Sequence, residues 1–106
     1  MTGPLIEVRT TVATEADAQR IADALVTRRL AACVQVEAVR STYVWQGALQ
    51  HDSEWRLLAK TLAARWPELE AAIRELHPYA LPAIWATPVV LAGADYAAWV
   101  EAGCSR

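Results

Sequence analysis

Side-chain character alternates with a period of two from Ala32 to Trp45, and again from Leu49 to Thr61, on either side of Gln46-Gly47. Two half-buried strands joined by a two-residue turn have this pattern. Arms of about 13 residues reach roughly 43 Å at strand rise. A compact domain of this length has a radius of gyration of only about 13 Å. The far end of the hairpin is therefore expected to project beyond the core of its own chain. A lone ribbon is marginally stable and presents an edge ready to pair. Cover from other copies of the same chain is expected.

The remaining segments predict a small α+β unit. Leu5–Val12 reads as a strand rich in β-branched residues. Thr14 is a good helix N-cap, followed by Glu15 and Asp17 where the helix dipole favours anions. Ala18, Ile21, Ala22 and Leu25 fall on one stripe, so residues 15–29 predict an amphipathic helix. A second helix begins near Pro67, buries Leu69, Ile73 and Leu76, and closes at Pro78. Pro82 keeps the chain extended, and Ile84–Leu91 reads as a fourth strand. A short helix capped by Asp95 follows, with Tyr96, Trp99 and Val100 on one side and Gly103 as its stop. The order β-α-β-β-α-β plus a terminal helix is that of a ferredoxin-like fold. Right-handed crossovers place both main helices on one face of an antiparallel sheet, with strand two at its edge. One domain spanning residues 4–104 is expected.

With Gln46-Gly47 as the turn, Ala32/Thr61, Val34/Ala59, Val36/Leu57 and Ala38/Trp55 share a face that belongs under the helices. Toward the tip that face becomes polar at Arg40/Ser53 and Thr42/His51. The opposite face carries Cys33/Lys60, Gln35/Leu58, Glu37/Arg56, Val39/Glu54, Ser41/Asp52 and Tyr43/Gln50. Glu37 and Arg56 are placed to form a cross-strand ion pair. Gln is a poor residue for a left-handed turn position, and a bulge there would exchange the two faces.

Composition narrows the partners. The chain of 106 residues is 55% hydrophobic, so disorder is excluded, and some of that apolar surface is expected in subunit contacts. No stretch approaches the roughly 18 apolar residues that span a bilayer. A net charge of −2 attracts neither nucleic acid nor an anionic membrane. Cys33 and Cys104 form neither a disulfide framework nor a CxxC pair. Cys104 reads as a surface thiol. The first residues lack the charged and apolar regions of a secretory signal, so the cytoplasm is the expected location. A ferredoxin-like metallochaperone needs a CxxC in the first loop, where Thr10-Thr11-Val12-Ala13 stands. An acylphosphatase-like enzyme needs an asparagine, and the chain has none. An RNA-recognition sheet needs aromatic residues in its first strand, and Leu5–Val12 has none.

Five motifs occur in order. They are Arg29-Leu30-Ala31-Ala32-Cys33-Val34, Ser41-x-Tyr43-x-Trp45-x-Gly47, Glu54-x-x-Leu57-x-x-Lys60-Thr61, His77-Pro78-Tyr79-x-x-Pro82-x-Ile84 and Gly93-x-x-x-Tyr96-x-x-Trp99. Together they resemble the CutA family of divalent-cation tolerance proteins, from about residue 5 to residue 101. The resemblance implies a tight homotrimer similar to that of the P-II signalling proteins. It also implies a cytoplasmic role in tolerance of copper and other divalent metals, and brings no established catalytic activity. The chain departs from the family at Thr10, where some members have cysteine, and at Leu76, where some have a second histidine. It also departs at Ala48, Gln50, Ala80 and Ala83, where acidic residues are frequent.

The resemblance places Trp45, Glu54, Lys60 and Tyr79 near a cleft between subunits. There a lysine beside an aromatic wall would hold a small anion, as a P-II-like signalling module would. The alternative is a structural salt bridge with an interface tryptophan. His77 is either a cation at a helix C-terminus or a ligand of a divalent metal ion, copper above all. Cys33 is either a core thiol or a soft copper(I) ligand.

Overall fold

The computed structural model describes residues 3–105. The chain runs β1 (Leu5–Val12), α1 (Glu15–Thr27), β2 (Cys33–Trp45), β3 (Ala48–Leu62), a 3-10 turn at Ala63–Arg65, α2 (Trp66–Leu76), β4 (Ile84–Pro88) and α3 (Ala94–Gly103). The four strands lie in the order β2-β3-β1-β4, and every pairing is antiparallel. The fold is the α+β, ferredoxin-like βαββαβ arrangement with an added C-terminal helix, and β2 lies at the sheet edge.

Local chemistry accounts for the helix limits. Thr14 is extended at φ −126°, and its hydroxyl accepts the Asp17 N–H at 3.1 Å, satisfying one orphan donor of the first turn. Ala18, Ile21, Ala22 and Leu25 are all buried, as their spacing predicts. The helix ends at Thr27 rather than residue 29, because Arg29 turns left-handed at φ 58°. The N–H groups of Leu30 and Ala31 then both close onto the Leu25 carbonyl, at 2.9 and 3.3 Å. In α2, Pro67 stands in the first turn, where its missing N–H costs nothing, and Leu69, Ala72 and Ile73 are buried. Val8, Val12, Leu57 and Ala59 from the sheet pack with these helix residues as one core. Each fully buried Leu, Ile or Val contributes about 1.5–3 kcal/mol.

The hairpin pairs without a bulge from Trp45↔Ala48 to Cys33↔Lys60, so the faces are those expected. Gln46 and Gly47 are both left-handed, at φ 50° and 81°. This is the pair of conformations whose twist matches the flanking strands. Arg56 donates twice to Glu37 Oε1, at 3.0 and 2.7 Å, the cross-strand pair that the register requires. Only the lower part of the arm lies under the helices. The molecule measures 48 × 25 × 21 Å, and its radius of gyration of 14.5 Å exceeds the compact value. Near the tip Val44 faces Leu49, and the two side chains are 66% and 64% exposed.

Three details of the C-terminal third differ from expectation. β4 stops at Pro88 rather than Leu91, because its partner β1 runs out: Ile6 pairs with Pro88, and the Val89 N–H takes the Leu5 carbonyl at 3.0 Å. The N-cap of α3 is Gly93, while Asp95 sits in the first turn and accepts the Tyr96 N–H at 2.9 Å. Cys104 is not a surface thiol. It is 4% exposed, with Sγ 3.4 Å from the Thr61 hydroxyl, and Cys33 is the half-exposed cysteine. The cause is a close approach at the end of α3. Gly103 closes that helix without a left-handed turn, and a Cβ there would lie 2.8 Å from Ala32 Cβ.

Gly103→Ala is accordingly expected to destabilise the fold by about 1–3 kcal/mol through overpacking. Urea denaturation at matched protein concentration measures this; an unchanged midpoint would mean that α3 shifts freely.

Candidate functional site

The period-two geometry of the hairpin gathers chemistry on the face away from the helices. Asp52 and Glu54 are two apart on β3, and Tyr43 and Trp45 are two apart on β2, so all four project from the same side. The chain between α2 and β4, held extended near Pro78 and Pro82, brings Tyr79 over them. The Tyr79 hydroxyl donates to Glu54 Oε2 at 2.9 Å, and the Tyr43 hydroxyl donates to Asp52 Oδ2. Glu54 is only 8% exposed. A carboxylate so placed needs a hydrogen bond to offset its lost hydration, and Tyr79 supplies one.

His77 anchors this loop. Its Nε2 lies 2.8 Å from the Thr11 carbonyl, which has no proton to give, so Nε2 carries the proton. Nδ1 is then free to accept the Tyr79 backbone N–H at 3.1 Å. Both ring nitrogens are engaged, and the ring stacks at a tilt on Tyr79 with centroids 4.9 Å apart. Burial lowers the His77 pKa below its ordinary value, outweighing the Thr11 carbonyl, which favours the protonated ring. Tyr79 is pushed up to about 12, by burial first and by its bond to Glu54 second, so it remains a neutral donor.

These groups border a cavity of about 780 Å³ lined by Thr11, Ser41, Thr42, Tyr43, Trp45, Asp52, Glu54, Tyr79, Ala80, Leu81 and Ala83. Trp45, Glu54 and Tyr79 thus come together within one chain. Lys60 does not join them within one chain. It lies six positions along β3 from Glu54, about 20 Å at strand rise. Its ammonium sits 5.5 Å above the Tyr96 ring instead. No lining residue is a lysine, arginine or histidine, so the wall is acidic. Cys33 pairs with Lys60, whereas His77 bonds Thr11, whose partner is Arg56. Among the described residues no group of three His, Cys, Asp or Glu side chains is placed to hold a metal ion. The donors of one chain do not fit a resident metal.

Tyr43, part of the Ser41-x-Tyr43-x-Trp45 motif but given no site role there, and Asp52 also belong to the cavity. The signal was present in the register, which puts Ser41/Asp52 and Tyr43/Gln50 on the face that carries Glu54.

The sequence profile of the family described as CutA1 divalent ion tolerance protein matches residues 6–103. This chain belongs to that family. It is 43% identical over 92 residues to the divalent-cation tolerance protein CutA of Thermus thermophilus, covering 86% of this chain and 89% of that protein. It is 35% identical over 96 residues to the CutA of Pyrococcus horikoshii, covering 91% of this chain and 94% of that one. Among solved structures, CutA1 from Oryza sativa superposes with a TM-score of 0.95 at 30% identity, covering 98% and 96% of the two chains. The chain therefore carries the family fold along nearly its whole length. The family is named for cation tolerance and not for an enzymatic activity.

The His77 shift has a consequence for stability. With the folded-state pKa below the ordinary 6.5, the unfolded chain takes up the proton first as pH falls. The contribution of His77 is complete above pH about 6.5 and declines as pH drops from there toward the folded-state value. Urea midpoints between pH 7 and 5 are expected to fall less steeply in His77→Gln than in the parent chain. Parallel slopes would contradict the assignment of a neutral, buried ring.

Proposed function

We propose that this chain acts as a CutA-type divalent-cation tolerance protein in the cytoplasm, as a homotrimer with no catalysis of its own. The observation that carries the assembly is the uncovered hairpin end, where Val44 and Leu49 face each other beyond the reach of the helices. Val90, Leu91 and Trp99 add exposed apolar surface. Isolated exposed apolar residues are ordinary; apolar residues on a projecting ribbon with a free strand edge favour burial against sister chains. The tolerance role is supported by the names of the relatives, which include bacterial and archaeal divalent-cation tolerance proteins.

In this reading copper or another divalent ion is not held by His77 and Cys33 of one chain. The first has both nitrogens occupied, and the second lies at a different level of the sheet. The P-II-like alternative, a module that binds a small anion, gains no support from the acidic cavity. It would need Lys60 or another cation from a neighbouring copy.

The double variant Val44→Ser/Leu49→Ser is expected to dissociate on dilution at concentrations where the parent chain remains trimeric in sedimentation velocity. A variant as firmly assembled as the parent would remove the hairpin tip from the interface. In calorimetric titrations with Cu²⁺ and Zn²⁺, His77→Ala is expected to leave the isotherms unchanged. Loss of a saturable site in that variant would restore His77 as a ligand.

A further inference from the structure

The turn between α1 and β2 breaks a local rule. Arg29 is left-handed at φ 58°, at a helix end where glycine is favoured and any other side chain costs conformational energy. The turn itself asks for no arginine, because its bonds are made by the backbone. The Leu30 and Ala31 N–H groups close onto the Leu25 carbonyl, and the Arg29 carbonyl accepts the Arg65 guanidinium at 3.3 Å. A glycine would keep all of these bonds. What the arginine side chain adds is positive charge beside a groove.

That groove, about 570 Å³ in volume, lies between the end of α1 and the flank of α2. It is on the helix side of the sheet, at the base of the hairpin. The assembly proposed above draws on the hairpin tip and leaves this groove within one chain. Three guanidinium groups, of Arg28, Arg29 and Arg65, line it against two carboxylates, of Glu68 and Glu75. One positive charge is in excess, in a chain whose net charge is −2. The cations are unequally committed. The Arg65 side chain is 12% exposed and is fixed by Glu68 Oε1 at 2.9 Å as well as by the Arg29 carbonyl. Arg28 is held loosely, 3.7 Å from Glu75 Oε2, with the two side chains 45% and 65% exposed. An exposed contact of that length adds little stability and is readily exchanged for another anion.

Ligand classes meet this wall differently. An amine or a metal cation is repelled by the excess charge. A single carboxylate gains no more from Arg28 than Glu75 already does. A phosphate monoester brings close to two negative charges and three terminal oxygens, which match the planar forks of two arginines at once. The groove is much larger than a phosphate group, and Ala71 and Ala72 leave an apolar wall for the organic part of an ester. Its volume is within the usual range for small-molecule sites.

We propose that this groove binds a small phosphate monoester, with the phosphate between Arg28 and Arg29, the organic part against Ala71 and Ala72, and Glu75 displaced from Arg28. The site goes beyond the cation-tolerance reading and rests neither on it nor on the assembly. No bond is made or broken.

The test is calorimetric titration of the chain, at low ionic strength, with phenyl phosphate, inorganic phosphate and phenol. Phenyl phosphate is expected to bind saturably, inorganic phosphate more weakly, and phenol not at all. Arg29→Gly separates a ligand role from a structural one. Glycine adopts the left-handed turn more readily, so the urea midpoint is expected to stay or rise while phenyl phosphate weakens by about ten-fold. Arg28→Gln is expected to lose about as much affinity, at an exposed position where folding is undisturbed. Glu75→Gln, which frees Arg28, is expected to tighten binding by about two-fold. Absence of saturable binding, equal binding of phenol, full affinity in both arginine variants, or weaker binding in Glu75→Gln would each overturn the proposal. Vesicles of phosphatidic acid in phosphatidylcholine present the same group on a lipid. Co-sedimentation with them, without a response to phenyl phosphate, would overturn the small-molecule assignment in favour of a membrane surface.

Discussion

The rest of the structure depends on one mismatch of lengths: a two-stranded ladder longer than the helices that cover it. β2 pairs with β3 over their full common length, from Cys33↔Lys60 to Trp45↔Ala48, so the ribbon is rigid enough to leave the globule. The helices α1 and α2 seal only its lower part, where Val34, Val36, Leu57 and Ala59 meet the core. Beyond that level the same pleat continues without cover, and side chains that would be interior lower down become surface. The exposed hairpin tip and the cavity beside it both follow from that free length.

The cavity illustrates how a sheet creates a site almost by geometry. Alternation places Tyr43, Trp45, Asp52 and Glu54 on one side, while the opposite side of the ribbon is directed toward the core lower down. The loop after α2 then closes the space. It is fixed by His77, which holds the Thr11 carbonyl with one nitrogen and the Tyr79 N–H with the other. His77, which the sequence reads as a helix-end cation or a metal ligand, holds the loop in place within this chain. Its desolvation keeps the ring neutral, the protonation state that supports both bonds.

Much of this was legible from particular residues. The stripe Ala18–Ile21–Ala22–Leu25 and the Thr14 cap specified α1, and alternation around Gln46-Gly47 specified the hairpin, its register and the Glu37–Arg56 pair. The grouping of Trp45, Glu54 and Tyr79 was available through family resemblance. What the sequence could not place lay where contacts are non-local. Within one chain six strand positions separate Lys60 from Glu54, and its ammonium lies over Tyr96 of α3. The cysteines exchanged roles, because the burial of Cys104 depends on how closely Gly103 lets α3 approach Ala32.

Periodicity and capping act within a few residues, so the chain alone determined its helices, its strands and the face on which each side chain stands. Register followed as well, because a two-residue turn leaves one pairing that keeps apolar residues together. Which of those faces would enclose a cavity, whether a histidine nitrogen stayed free, and which thiol was sealed were decided by packing between segments distant in sequence. Such contacts are set by ångström-scale distances between elements, and no local pattern of residues encodes those distances.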